Sequence, residues 1–205
     1  MKRCQAFLIL FLFMLASGFT ARSQEVTEHE GRKLTPLAKQ HNTHIDKVPT
    51  VDLATYRLKI GGKVGQPLEL KYEEALAFPQ ESRVIDFQCV EGWGYTALFS
   101  GPRVMDLIAK ANPAANVKTI IFYALGGTYS SSLPLEFIKS KNVFLVAKIN
   151  NVTLPPDRGF PFVVAAEGKL GYKWVQWVER IELSDKDYVG YWEERGYSNK
   201  ADIKR

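Results

Sequence analysis

The chain has 205 residues, 46% of them hydrophobic, 12% aromatic and 24% charged, a balance that describes one folded domain with a full core and excludes a disordered or collagen-like chain. Its formal charge of +5 comes from 27 Lys and Arg against 22 Asp and Glu, but Lys2, Arg3 and Arg22 stand in the first 23 residues with no acidic residue among them. The weak excess left elsewhere gives no basis for a nucleic-acid surface, which needs clustered positive charge, and two cysteines in all exclude a small disulfide-stapled scaffold.

Residues 1–23 read as an export signal. Lys2 and Arg3 form a positive start, Phe7 to Leu15 an unbroken apolar run, and Ala21 and Ser23 the small residues that a signal-cleaving protease requires. The apolar run is well short of the ~20 residues that span a bilayer. The mature chain is therefore expected to begin near Gln24, to lack a transmembrane segment, and to be periplasmic or secreted. Cleavage removes Cys4 and leaves Cys89 as the one thiol.

Residues 24–50 are polar, broken by Pro36 and Pro49, and without a helix or strand period, so they read as an extended lead-in. His29, His41 and His44 all lie there and are expected to be solvated, since no third metal-ligand signature accompanies them. From residue 51 to 205 the chain reads as one domain. Tyr56 to Ile60 alternates as a strand, Gly61-Gly62 is a turn, and Gln66 to Leu70 is extended again. Helix formers run from Tyr72 to Phe78 and stop at Pro79, and Val84 to Val90 is a strand ending at Cys89. Gly92 and Gly94 around Trp93 predict a sharply bent loop, and Pro102 opens an amphipathic helix to about Ala111.

The second half has the same mixture. Thr119 to Leu125 is an apolar strand, and Ser132 to Glu136 reads as a helix start capped by serine. Val143 to Ile149 and Phe162 to Ala166 are further strands, with a stiff loop from Pro155 to Pro161 between them. One long strand runs from Trp174 to Leu183, followed by an aromatic tail containing Tyr188, Tyr191, Trp192 and Tyr197. Many strands with short interspersed helices predict a mixed, β-rich α+β domain and not a doubly wound parallel sheet.

The chemistry narrows by elimination. No histidine occurs from residue 51 onward, which excludes a Ser-His-Asp or Cys-His hydrolytic site built within the domain. Cys89 has two readings: a buried cysteine acting as a small hydrophobe, or a redox or metal-ligating thiolate.

At Phe87-Gln88-Cys89-Val90-Glu91-Gly92-Trp93 the chain resembles the molybdopterin-binding domain of the sulfite oxidase superfamily, in particular the small bacterial branch that includes the periplasmic protein-methionine-sulfoxide reductase. Further matches lie in order at Tyr56-Arg57-Leu58, Gly65-Gln66-Pro67-Leu68, Gly159-Phe160-Pro161 and Tyr172 to Trp177. The resemblance implies an α+β domain holding molybdenum-molybdopterin, with Cys89 as metal ligand and catalytic centre. It implies cofactor binding by Gly92, Arg158, Lys173, Trp174, Val175 and Gln176. Two positions depart from the family pattern: Val163 stands where relatives carry a phosphate-binding arginine, and Gln176 where they carry a lysine. Trp93 and Gly94 replace the arginine pair that full sulfite oxidases use for their anion.

The implied activity is two-electron oxo transfer on a small-molecule or protein substrate in an exported oxidoreductase. The electron partner would be a haem protein or cytochrome, because the chain has no CxxCH haem motif of its own. The alternative is a cofactor-free binding module on the same fold, using a cleft lined by Trp93, Tyr95, Trp174 and Trp177.

Overall fold

The computed structural model describes residues 24–204; the expected export signal lies outside them. The lead-in holds a small hairpin, β1 (Glu28–His29) with β2 (Arg32–Lys33), and a 3-10 turn at Leu37–Lys39. It is irregular, as its composition predicts, yet it is fastened along its length. Val26 N–H donates to Asn150 O at 3.0 Å and Thr35 N–H to Thr96 O at 2.8 Å. The fully buried Asn150 amide completes the seam, giving a proton to Thr35 O (3.0 Å) while its oxygen accepts from Leu98 N–H (3.1 Å). Buried polar groups stay buried only when partnered in this way.

The domain proper runs β3 (Leu58–Gly62), β4 (Leu68–Leu70), α1 (Tyr72–Leu76), β5 (Gln80–Gln88), β6 (Gly94–Pro102), α2 (Val104–Lys110), β7 (Thr119–Ala124) and β8 (Ser130–Pro134). It continues with α3 (Leu135–Lys141), β9 (Phe144–Val146), β10 (Lys148–Ile149), β11 (Val152–Thr153), β12 (Val163–Ala165) and β13 (Val178–Ser184). A five-stranded sheet in the order β4-β3-β13-β7-β8 and a four-stranded sheet in the order β11-β10-β6-β5 are joined by the pair β12-β9. Only β3 and β13 run parallel among these neighbours. The mixed α+β class expected from the element order is what the chain adopts.

Side-chain period explains the layering. In β3, Leu58 and Ile60 are buried while Lys59 faces solvent, and β7 is buried along almost its whole length. In β13 the buried positions are Val178, Ile181 and Leu183, and the pairing with β7 shifts between Val178 and Arg180. The extra residue of that bulge restores the inward face after a three-residue step.

Four expected elements differ. Gly61 and Gly62, expected as a turn, form the end of β3 and pair with Glu182 and Leu183 of β13. Ser130–Pro134 is a strand paired with β7, so Ser132 caps nothing and α3 begins after Pro134; Ser131 and Ser132 are buried with partners across the sheet edge. The strand expected over Trp174 to Leu183 starts only at Val178, because Trp174 ends a 3-10 turn and Trp177 has φ of +51°. Val143 to Ile149 divides into β9 and β10, which pair with β12 and β6 respectively.

Residues 186–204 are bound to the body by a buried ion pair. The Lys173 ammonium is hydrogen-bonded to the Glu193 carboxylate, to Ser132 O (3.1 Å) and to Asn199 Oδ1 (2.7 Å), and both charged side chains are sealed from solvent. Burial pushes the Lys173 pKa below the ordinary lysine value, with the Glu193 carboxylate pulling the other way. Removing one member of a buried pair strands the other charge, whereas replacing both with hydrophobes is far milder. Glu193→Leu alone is expected to cost about 3–5 kcal/mol in urea unfolding, and Glu193→Leu combined with Lys173→Met to recover most of that loss.

Candidate functional site

The hairpin of β5 and β6 pairs residue by residue from Gln80 with Pro102 to Gln88 with Gly94, which leaves Cys89 to Trp93 as the loop at its end. Cys89 N–H donates to Trp93 O (2.8 Å) and Gly92 N–H to Cys89 O (3.2 Å). Gly92 has φ of +91°, a conformation costly for any other residue. The tight loop lifts Cys89 out of the strand.

Phe87 supports the loop from beneath. Its ring stacks on Tyr95 with centroids 4.9 Å apart, meets Trp174 edge-on at 5.2 Å and lies 5.7 Å from Trp93. Such offset and edge contacts add stability beyond area burial. A Cβ on Gly171 would sit 2.7 Å from the Phe87 ring and 3.5 Å from Cys89 Cα. Glycine there lets the 3-10 turn Gly171–Lys173 press against the base of the loop.

Above this floor opens a cavity of about 260 Å³ whose wall includes Cys89, Trp93, Tyr129, Arg158, Trp174 and Trp177. Cys89 is half-buried and unpaired. Its Sγ–H faces Glu91 Oε2 at 3.7 Å, and the same oxygen accepts from Trp93 Nε1–H at 2.8 Å. Burial pushes the Cys89 pKa above the ordinary thiol value, and the Glu91 charge adds to the rise. Burial also lifts Tyr95 to about 12, opposed in part by the positive charge of Arg158.

The residues that the sequence singled out are distributed unevenly. Cys89, Arg158, Trp174 and Gln176 come together on the cavity wall, as does Val163. Gly92 stands at the exposed apex of the cysteine loop with open space around its α-carbon. Lys173 and Val175 do not reach the cavity wall. Lys173 is taken into the core by Glu193, and Val175 is fully buried with its carbonyl accepting from Val164 N–H at 3.0 Å. In Tyr172 to Trp177 the 3-10 turn replaces strand alternation, so the faces expected from a period of two do not apply.

Sequence reasoning missed the contribution of the lead-in. Asn42, Thr43, His44 and Ile45 line the cavity. The imidazoles of His41 and His44 are not merely solvated: they pack edge-on against Trp93 (4.7 Å) and Trp177 (5.3 Å). Glu91, Tyr129, Trp192 and Tyr197 also form wall. The His41-x-x-His44 spacing was the one available signal, and it serves two tryptophans on separate loops.

Among the described residues no group of three or more His, Cys, Asp or Glu is placed to hold a metal ion. A metal at Cys89 must therefore arrive with its other donors attached. One soft thiol facing a largely aromatic cavity suits a metal carried by a flat organic cofactor. For a phosphate on that cofactor the wall offers Arg158 as its one arginine or lysine among the described residues. Arg158 gives three of its five N–H groups to Leu37 O (2.8 Å), Gln40 O (2.8 Å) and Gln40 Oε1 (3.4 Å) and keeps two. The residues present thus fit a thiolate-bound cofactor with a sparse anion cradle.

Fold and site together define a mixed α+β domain with one half-buried thiol on the wall of a largely aromatic cavity. The sequence profile of the oxidoreductase molybdopterin binding domain matches residues 44–192, and the chain belongs to that family. The oxidoreductase YuiH of Bacillus subtilis is 28% identical over 161 residues, covering 78% of this chain and 81% of that protein. The protein-methionine-sulfoxide reductase catalytic subunit MsrP of Campylobacter jejuni is 24% identical over 178 residues, covering 79% of this chain and 57% of the relative. Among solved structures, the sulfane dehydrogenase SoxCD of Paracoccus pantotrophus superposes with a TM-score of 0.70 at 23% identity, covering 75% of this chain and 44% of the other. The last likeness is one of fold. The chain thus spans most of YuiH but about half of the other two. Its family cofactor is molybdenum-molybdopterin, and its class is oxidoreductase.

The raised Cys89 pKa gives a direct test of the cofactor-free site. A raised thiol pKa means less thiolate at neutral pH, so alkylation of Cys89 should be slow at pH 7 and should keep rising at a pH where an ordinary thiol has levelled off. Mass spectrometry of the iodoacetamide adduct against pH reads this profile. A plateau at or below the ordinary thiol pKa contradicts it.

Proposed function

We propose that this chain is an exported oxidoreductase that carries out two-electron oxo transfer at a metal ligated by Cys89 Sγ. The observation that supports it is the half-buried thiol facing an aromatic cavity, with no other metal-ligand cluster among the described residues. When bound, molybdopterin supplies the metal and the two-electron change that oxo transfer requires. The charge of such a metal would hold Cys89 as thiolate against the burial that raises its pKa.

The chain's own residues bind and orient. Cys89 anchors the centre, and Arg158 directs its two remaining N–H groups to the phosphate. Trp174 and Gln176 on the wall would border the cofactor, while Gly92 shapes the cysteine loop at its exposed apex. Glu91, held by the Trp93 indole, places a hydrogen-bond acceptor beside the sulfur. The aromatic wall excludes water and carries little positive charge, which favours a neutral substrate over an anion such as sulfite. Electrons pass to or from a separate haem protein, since the chain lacks a CxxCH site. The export signal read in residues 1–23 places the reaction outside the cytoplasm. Among the described residues no helix is long and apolar enough to cross a membrane.

Metal and pterin analysis of protein purified from its native host is the decisive experiment. Stoichiometric molybdenum and pterin are expected, and Cys89→Ser should abolish turnover and alter the charge-transfer absorption, because a hydroxyl is a harder and less acidic donor. Wild-type turnover in Cys89→Ser, or a native protein without pterin, overturns the assignment. The second of those results favours a cofactor-free binding module.

A further inference from the structure

The segment from Leu37 to Ile45 crosses the mouth of the cavity and is held there from three sides. The first is Arg158, whose guanidinium reaches both the Leu37 and Gln40 carbonyls and the Gln40 side chain, itself buried. The second is Asn42, whose amide donates to Asp157 O and whose oxygen accepts from Gln176 Nε2–H at 3.0 Å. The third is the pair of imidazoles seated on Trp93 and Trp177. Every one of these partners lies in the cavity wall or next to it in sequence. The matched family region begins only at residue 44, so most of this segment precedes it.

We infer that Leu37 to Ile45 is a strap that closes the cofactor cavity, with Arg158 as its latch and Asn42 as its clasp, and that it governs how fast cofactor leaves. The inference rests on the cavity being the cofactor site. Arg158 is a positioning residue in this role. Its planar fork spans three acceptors at once, which the point charge of a lysine cannot reproduce. Asn42 carries no charge, so its loss leaves the charge that faces the phosphate unchanged. The anchored segment contributes little apolar burial of its own, with His41, Thr43, His44 and Ile45 exposed. Such a segment opens through its hydrogen bonds.

The test uses cofactor-loaded protein and two variants, Asn42→Ala and Arg158→Lys, with Arg158→Ala as a control that also removes the charge. The first readout is pterin appearing in the filtrate with time, measured by fluorescence after oxidation. The second is tryptic cleavage after the exposed Lys39 and Lys47, which tracks the population of the open strap. Both variants are expected to release pterin roughly tenfold faster, the scale of one or two lost hydrogen bonds, and to be cut faster at those two lysines. Release and cleavage within about twofold of wild type in both variants overturn the inference. So does wild-type behaviour in Arg158→Lys beside fast release in Arg158→Ala, since charge alone would then explain the loss. A wild-type protein that holds no pterin at all removes the cavity assignment and the strap role with it, and pterin content before the time course tells that failure from the others.

Discussion

The packing of Phe87 is the contact on which the site depends. Its ring fills the space between Tyr95 on the partner strand, Trp93 at the end of the loop and Trp174 on the 3-10 turn. Close packing makes those four rings one rigid unit, because a gap of even a methylene would forfeit contacts on every side. Cys89 stands two residues beyond Phe87, so its thiol inherits the position of that unit. The absence of a side chain on Gly171 is part of the same fit. A reactive group fixed by a strand end and an aromatic floor is held more tightly than one on a free loop.

Charge is arranged by the same economy. Two of the chain's cations that lie nearest the cavity in sequence have partners elsewhere: Lys173 is enclosed with Glu193, and Arg158 gives two of its five donors to backbone carbonyls and a third to the Gln40 side chain. The cavity is left aromatic, with Glu91 beside the thiol. Without a metal, burial and that carboxylate both oppose the thiolate. A metal reverses the balance, since a multiply charged ion at the sulfur outweighs either effect. Under the proposed ligation, Cys89 would be a donor that is quiet alone and committed once the ion arrives.

Much of this was legible in the residues, for definite reasons. Leu58 and Ile60 alternate with charged neighbours, and the run from Thr119 is apolar without a break, so β3 and β7 follow from period alone. Cys89 stood out because a chain expected to keep one thiol after export needs a use for it, and because its neighbours match a family pattern; the fold sets it on the cavity wall. The stretch from Ser130 to Glu136 was not. Its serines look like caps, but they bond across to Tyr188 and Glu193, nearly sixty residues away, and no local pattern reports such partners. Lys173 failed for the same reason: its counter-charge lies twenty residues downstream. The lead-in was read as extended; it holds a short hairpin and a 3-10 turn, and its docking depends on single amides such as Asn150 and Asn42. Isolated polar contacts leave no periodicity to read.

The two ends of the chain share a role that follows from where the family pattern stops. The match covers residues 44–192, and that span contains the Phe87 unit, the thiol and both sheets. Tyr197 closes one side of the cavity from beyond its end, and Asn42 and Thr43 close another from before its start. The tail is secured by an enclosed ion pair, which is costly to open because separation exposes an uncompensated charge. The segment before the core is secured by hydrogen bonds at a partly solvated rim, each of modest net worth. The two covers thus differ in how readily they lift. The weaker one is the N-terminal segment, and it lies over the same wall that carries Arg158 and Gln176. Access to the cavity would therefore depend on a segment that mostly precedes the shared pattern, held by residues within that pattern such as Arg158 and Gln176.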